Sequence, residues 1–75
     1  MSENRIEAII AEALTARSIS FSRDSRLVGD LGMDSYDVVS LIIEIETMLD
    51  TEFDEDTQAF FIEGSVGEIC ARLAG

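Results

Sequence analysis

Apolar residues recur at three- and four-residue intervals in three separate stretches of this 75-residue chain, and nowhere do they alternate with polar ones. That pattern restricts the fold more than any single motif, because it builds apolar stripes along helices and leaves no half-buried face for a strand. Ile6, Ile9, Ile10, Ala13 and Leu14 mark the first stripe and predict a helix over 3–16. Val38, Leu41, Ile42, Ile45 and Leu49 mark the second, over 35–50, with Asp34 or Ser35 as its N-cap. Val66, Ile69, Cys70 and Leu73 mark the third, over 66–73, behind a Ser65-x-x-Glu68 capping box.

Two connections separate these helices. Residues 17–34 keep no helical period, yet Ile19, Phe21, Leu27, Val28 and Leu31 are scattered among Ser, Asp and Gly. Long loops within compact domains are uncommon unless they carry function, and these apolar residues predict a loop pinned across the helices. The acidic stretch 50–56 ends the second stripe, and Asp54 can cap a short third helix that turns Phe60 or Phe61 inward. The expected architecture is all-α: a small four-helix bundle with a long first loop and a short third helix, forming one domain over 1–75. A composition 47% hydrophobic, without proline and without an apolar run long enough to span a bilayer, fits a soluble folded chain. No basic, apolar leader precedes the first stripe, which makes the cytoplasm the expected location.

Charge and missing residue types narrow the function. The chain has no histidine and one cysteine, so Ser–His and Cys–His catalysis and an intramolecular disulfide are excluded. Its formal charge of −11 sets sixteen acids against five arginines, a balance that repels nucleic acids and anionic membranes and suits a basic protein patch. Glu3, Glu7 and Glu12 balance Arg5, Arg17 and Arg23 over residues 1–23, so the excess lies downstream. Asp50, Glu52 and Asp54 imitate the start of an EF-hand loop, but its sixth position is Glu55 instead of glycine and its twelfth is Phe61 instead of glutamate. No metal site is expected, although crowded carboxylates should let added magnesium or calcium raise the melting temperature. Cys70 lies on the apolar stripe of the last helix and is expected to be a buried small hydrophobe.

The most informative stretch is Asp30-Leu31-Gly32-Met33-Asp34-Ser35-Tyr36-Asp37, at the junction of the long loop and the second helix. Leu31, Gly32, Asp34 and Ser35 match the Leu-Gly-x-Asp-Ser motif, and the chain resembles the acyl carrier proteins in this motif, in length, in helix order and in acidity. The resemblance implies that Ser35 is the attachment point of 4'-phosphopantetheine from coenzyme A and that the chain is a carrier, not an enzyme. It implies as partners a phosphopantetheinyl transferase and the acyl-loading, condensing or tailoring enzymes of fatty-acid, polyketide or other specialised biosynthesis, each with a basic docking patch. Independently of the family, the start of a helix suits a phosphodiester, because unpaired N–H groups and the positive end of the helix dipole meet there.

The second helix also carries a face that its own core does not use. Tyr36 and Ile43 share a stripe with Ser40 and Thr47, edged by Asp37 and Glu44, an apolar strip beside an acidic one. Either this strip meets a partner or it tucks under neighbouring loops. Because the second helix is the usual recognition surface of carrier proteins, the resemblance marks Asp34, Tyr36, Asp37, Ile43, Glu44 and Glu46 as candidate partner contacts. Tyr36, Ser40 and Phe53-Asp54 depart from the commonest fatty-acid carrier pattern, which leaves the pathway open. A monomer is the default expectation. The alternative from another class is an unmodified acidic helical interaction module.

Overall fold

The computed structural model describes residues 2–74 and shows four helices: α1 (Glu3–Ala16), α2 (Ser35–Leu49), α3 (Glu55–Glu63) and α4 (Val66–Ala74). Among the described residues there is no strand, only an isolated antiparallel bridge between Arg26 and Ser65. The predicted boundaries agree to within one residue, and the all-α expectation holds. Among the described residues no helix is long and apolar enough to cross a membrane.

Each helix starts on a side chain that accepts from its first turn. Ser2, Asp34 and Asp54 accept from the N–H groups of Arg5, Asp37 and Thr57. The capping box of α4 is reciprocal: Ser65 N–H donates to Glu68 Oε1 at 2.9 Å and Glu68 N–H to Ser65 Oγ at 3.3 Å. α1 and α2 end in Schellman motifs whose left-handed residues are not glycine but Ser18, at φ 61°, and Asp50, at φ 54°. Ile19 N–H bonds Leu14 O and Thr51 N–H bonds Glu46 O, the six-to-one bonds that close these ends.

One core gathers Ile6, Ile10, Ala13 and Leu14 of α1, Val38, Leu41, Ile42 and Ile45 of α2, Phe61 of α3, and Val66, Ile69 and Cys70 of α4. Ile9, Leu49 and Leu73, at the margins of their stripes, are only partly buried against it. The sequence left open which phenylalanine turns inward, and it is Phe61, stacked on Phe53 with centroids 5.6 Å apart. Phe60 instead lies under the Arg72 guanidinium, 4.9 Å from its ring centroid. The departure Phe53-Asp54 is therefore accommodated: Phe53 supplies a core contact and its N–H donates to Glu46 Oε2, while Asp54 caps α3. Burial of Cys70, and secondarily the Glu7 carboxylate, pushes its thiol up, as suits an inert core residue.

The loop 17–34 is pinned as expected, but not by all the residues predicted to do so. Leu27 is fully buried, and Ile19, Phe21 and Leu31 pack partly against the core. Val28 is corrected to exposed: the turn after Leu27 sends consecutive side chains opposite ways, and only one can enter. Met33, which the periodicity did not mark, is buried in its place. Polar anchors act beside these contacts. Val66 N–H donates to Ser25 O at 2.9 Å and Gly67 N–H to Arg23 O at 2.8 Å, so loop carbonyls satisfy two free donors of α4. A Cβ on Gly67 would lie 3.2 Å from Arg23 O, so the missing side chain is what admits the loop. Arg23 also pairs with Glu3, at 2.6 Å, and with Glu7, both on α1.

Leu27→Ala should lower the unfolding free energy by about 2–5 kcal/mol in urea titration, because it empties the one fully buried side chain of the loop. Hydrogen bonds from Thr57 and from Ser65 hold the Asp54 and Glu68 carboxyls below their ordinary values. The folded state thus binds fewer protons than the unfolded one in acid. The resulting stability is present above the unfolded carboxyl values, near pH 4, and is lost as pH falls through the lower folded values. Glu68→Gln keeps a capping box but removes one titration, so wild type should exceed the variant in urea midpoint by less at acid pH than at pH 6.

Candidate functional site

Ser35 is the first residue of α2, and the geometry that presents it is set on both sides. Upstream, Asp30 N–H and Leu31 N–H both bond Arg26 O, Met33 N–H bonds Leu27 O, and Arg26 N–H bonds Asp30 Oδ2 at 2.7 Å, so the second half of the loop is a tied turn. Gly32 then takes φ +70°, in the left-handed region, with open space where a Cβ would stand. Its role is conformational freedom, not close packing. Met33 enters the core and Asp34 caps the helix, which leaves Ser35 exposed.

At this helix start the backbone donors divide cleanly. Asp37 N–H goes to Asp34 Oδ1 at 2.8 Å and Val38 N–H to Asp34 O at 3.0 Å. Among the described residues, the N–H groups of Ser35 and Tyr36 and the Ser35 hydroxyl have no hydrogen-bond partner. Ser2 and Ser65 cap helices, Ser22 and Ser25 bond each other, and Ser40 accepts from Arg17, while Ser18 and Ser20, exposed and without a side-chain bond, lie in the first loop and not at a helix start as Ser35 does. The site therefore offers an accessible hydroxyl beside two free donors at the positive end of a helix dipole, a setting for a phosphodiester that needs no cationic side chain.

The family model described as "Phosphopantetheine attachment site" matches residues 4–73, nearly the whole chain. The chain belongs to this family. Among its relatives are the acyl carrier proteins of Clostridium perfringens strain SM101 and of Clostridium perfringens strain 13. Each is 36% identical over 66 residues, which cover 87% of this chain and 87% of the relative. The carrier role expected from the motif is thus shown, and with it a non-catalytic protein whose cofactor is a covalently attached 4'-phosphopantetheine. The free hydroxyl and N–H groups at the start of α2 fit that group.

The other candidate residues fall into two sets. Tyr36 and Ile43 are 82% and 57% exposed, which removes the possibility that loops cover them. Val39, 50% exposed, joins them and was not singled out in the sequence, because it lies to one side of the Tyr36–Ile43 line. Tyr36, Val39, Ser40 and Ile43 line a shallow hollow of about 170 Å³. The acids behave differently. Asp34 is committed to its cap, Glu44 pairs with Arg17 at 2.6 Å, and Glu46 accepts from Phe53 N–H at 2.6 Å. Asp37 has no side-chain partner among the described residues. Arg17 is the residue that sequence reasoning missed; a lone arginine after a helix carries no signal of where it reaches.

In the acidic stretch 50–56, and elsewhere among the described residues, no three acidic or cysteine side chains are placed to hold a metal ion. The expected effect of divalent cations on melting therefore rests on net charge alone. For the site itself, Asp34→Ala should cost about 1 kcal/mol by thermal or urea unfolding, whereas Asp34→Asn, which can accept from Asp37 N–H, should cost less.

Proposed function

We propose that Ser35 Oγ carries the 4'-phosphopantetheine and that the chain shuttles acyl or related intermediates between enzymes of fatty-acid, polyketide or other specialised biosynthesis. The observation that carries this reading is the position of Ser35: exposed, first in its helix and without an internal partner, in a family that attaches this group. When bound, the group supplies a flexible arm ending in a thiol that holds the cargo as a thioester. Ser35 gives up its hydroxyl proton to a base on the transferase, since the chain has no histidine to receive it. The free N–H groups of Ser35 and Tyr36 are available to phosphate oxygens, and Asp34, engaged with Asp37 N–H, keeps the first turn intact while Ser35 is modified.

The partners under this reading are a phosphopantetheinyl transferase and then loading, condensing or tailoring enzymes that dock on α2 through basic patches. Residues 1–75 act as one monomeric carrier domain in the cytoplasm. Tethering raises the effective concentration of cargo at each active site without any new chemistry on the carrier. Tyr36 and Ser40, both on the outward side of α2, depart from the commonest fatty-acid carrier pattern at the docking surface and not in the core. They support a dedicated carrier for a specialised product as readily as a fatty-acid carrier.

Intact-protein mass spectrometry after incubation with coenzyme A, magnesium and a broad-specificity phosphopantetheinyl transferase tests the assignment. The expected result is a gain of one phosphopantetheinyl unit by wild type and none by Ser35→Ala. A gain retained in Ser35→Ala would move the attachment to another serine, and no gain with several transferases would favour the unmodified interaction module.

A further inference from the structure

The carboxylates within α2 are Asp37, Glu44 and Glu46, and the fold has used two of them. Glu46 closes the connection to α3 through Phe53 N–H. Glu44 is held by Arg17, whose Nη1 lies 2.6 Å from Glu44 Oε2 and donates to Ala13 O at 3.0 Å, while Nη2 donates to Ser40 Oγ at 3.3 Å. The guanidinium is thus fixed by three acceptors, and the Arg17 and Glu44 side chains are 24% and 39% exposed. Its backbone is fixed too, since Arg17 immediately precedes the left-handed Ser18 that ends α1.

We propose that Arg17 is an intramolecular mask that withdraws Glu44 from the docking face of α2 and leaves Asp37 as the unpaired carboxylate beside the apolar strip, and so selects the partner surface. The proposal rests on α2 being the docking helix. Asp37 and Glu44 are seven residues apart on one edge of α2, about 10 Å along the axis, which exceeds the Debye length of about 8 Å at physiological salt. A partner cation near Glu44 meets a neutralised pair and must displace a guanidinium held by three hydrogen bonds. A cation near Asp37 meets a carboxylate without an internal partner. Beside these lies the uncharged strip of Tyr36, Val39 and Ile43. Along this strip the surface therefore fits an enzyme whose Lys/Arg cluster meets Asp37 beside an apolar patch, and discriminates against one whose cations lie over Glu44.

The test is the dissociation constant of the unmodified chain for a broad-specificity phosphopantetheinyl transferase, by calorimetry at low and at physiological salt. Asp37→Asn should weaken binding about threefold at low salt and less at physiological salt. Arg17→Gln should tighten it about two- to threefold, opposite to what a merely structural loss would do, and adding Glu44→Gln should abolish that gain. Arg5→Gln makes the same change in net charge from an exposed position about 18 Å along α1 and should have a smaller effect. Equal effects of Arg17→Gln and Arg5→Gln, a gain that survives Glu44→Gln, or no binding by the chain would each overturn the proposal. Covalent loading is read separately by mass, so failure at Ser35 and failure of the mask give different results.

Discussion

Two hydrogen bonds between the long loop and the start of α4 organise most of this structure. A helix start carries four N–H groups without intrahelical acceptors, and in α4 each has found one: Ser65 takes Glu68 Oε1, Val66 and Gly67 take carbonyls of the loop, and Glu68 takes Ser65 Oγ. The loop thereby becomes the cap of a helix far from it in sequence. Leu27, buried just beyond this junction, adds the apolar half of the anchor. With residues 23–27 fixed, the tied turn over 26–33 has only a short span to cross before α2 begins, and the start of that helix is delivered to the surface. The exposure of Ser35 is thus a consequence of how α4 is capped.

The same economy lets so acidic a chain fold. A formal charge of −11 on 75 residues disfavours compaction through self-repulsion. Several acids are nevertheless placed where a negative charge helps. Asp34 and Asp54 cap α2 and α3, Glu68 completes the box of α4, and Glu3, Glu7 and Glu44 meet arginines. Asp50 is an exception, a carboxylate in a left-handed residue at the negative end of α2, where neither the dipole nor the backbone favours it. Three of the sixteen acids thus support helix starts and three more meet arginines, so less is left over for partners than the net value suggests.

What could be read from the sequence follows the range of the interactions involved. Helical periodicity and caps are local, and they placed all four helices, the short third one through Asp54 alone. The motif ending at Ser35 is local as well, and the family match over residues 4–73 agrees with the resemblance it suggested. Contacts across the fold were not legible. Nothing local distinguishes Leu27 from Val28, or Phe61 from Phe60, because the choice depends on which side of a turn faces the core. Met33 carried no periodic neighbours to reveal its burial. Arg17 balanced an acid in a count of charges over residues 1–23, yet in space its partner is Glu44, twenty-seven residues away.

That last discrepancy bears on how a carrier of this kind is recognised. A protein with no catalytic group can influence its chemistry only through who docks and where the attachment residue then lies. In the proposed reading both depend on α2, whose inner face is committed to the core through Val38, Leu41, Ile42 and Ile45. Selectivity is left to the outer face, where apolar area supplies contact and charge supplies orientation. An even acidic surface would attract many basic partners alike. In the proposed arrangement, the pairing of Glu44 with Arg17 leaves Asp37, in the same turn as Ser35, as the unpaired carboxylate beside the apolar strip.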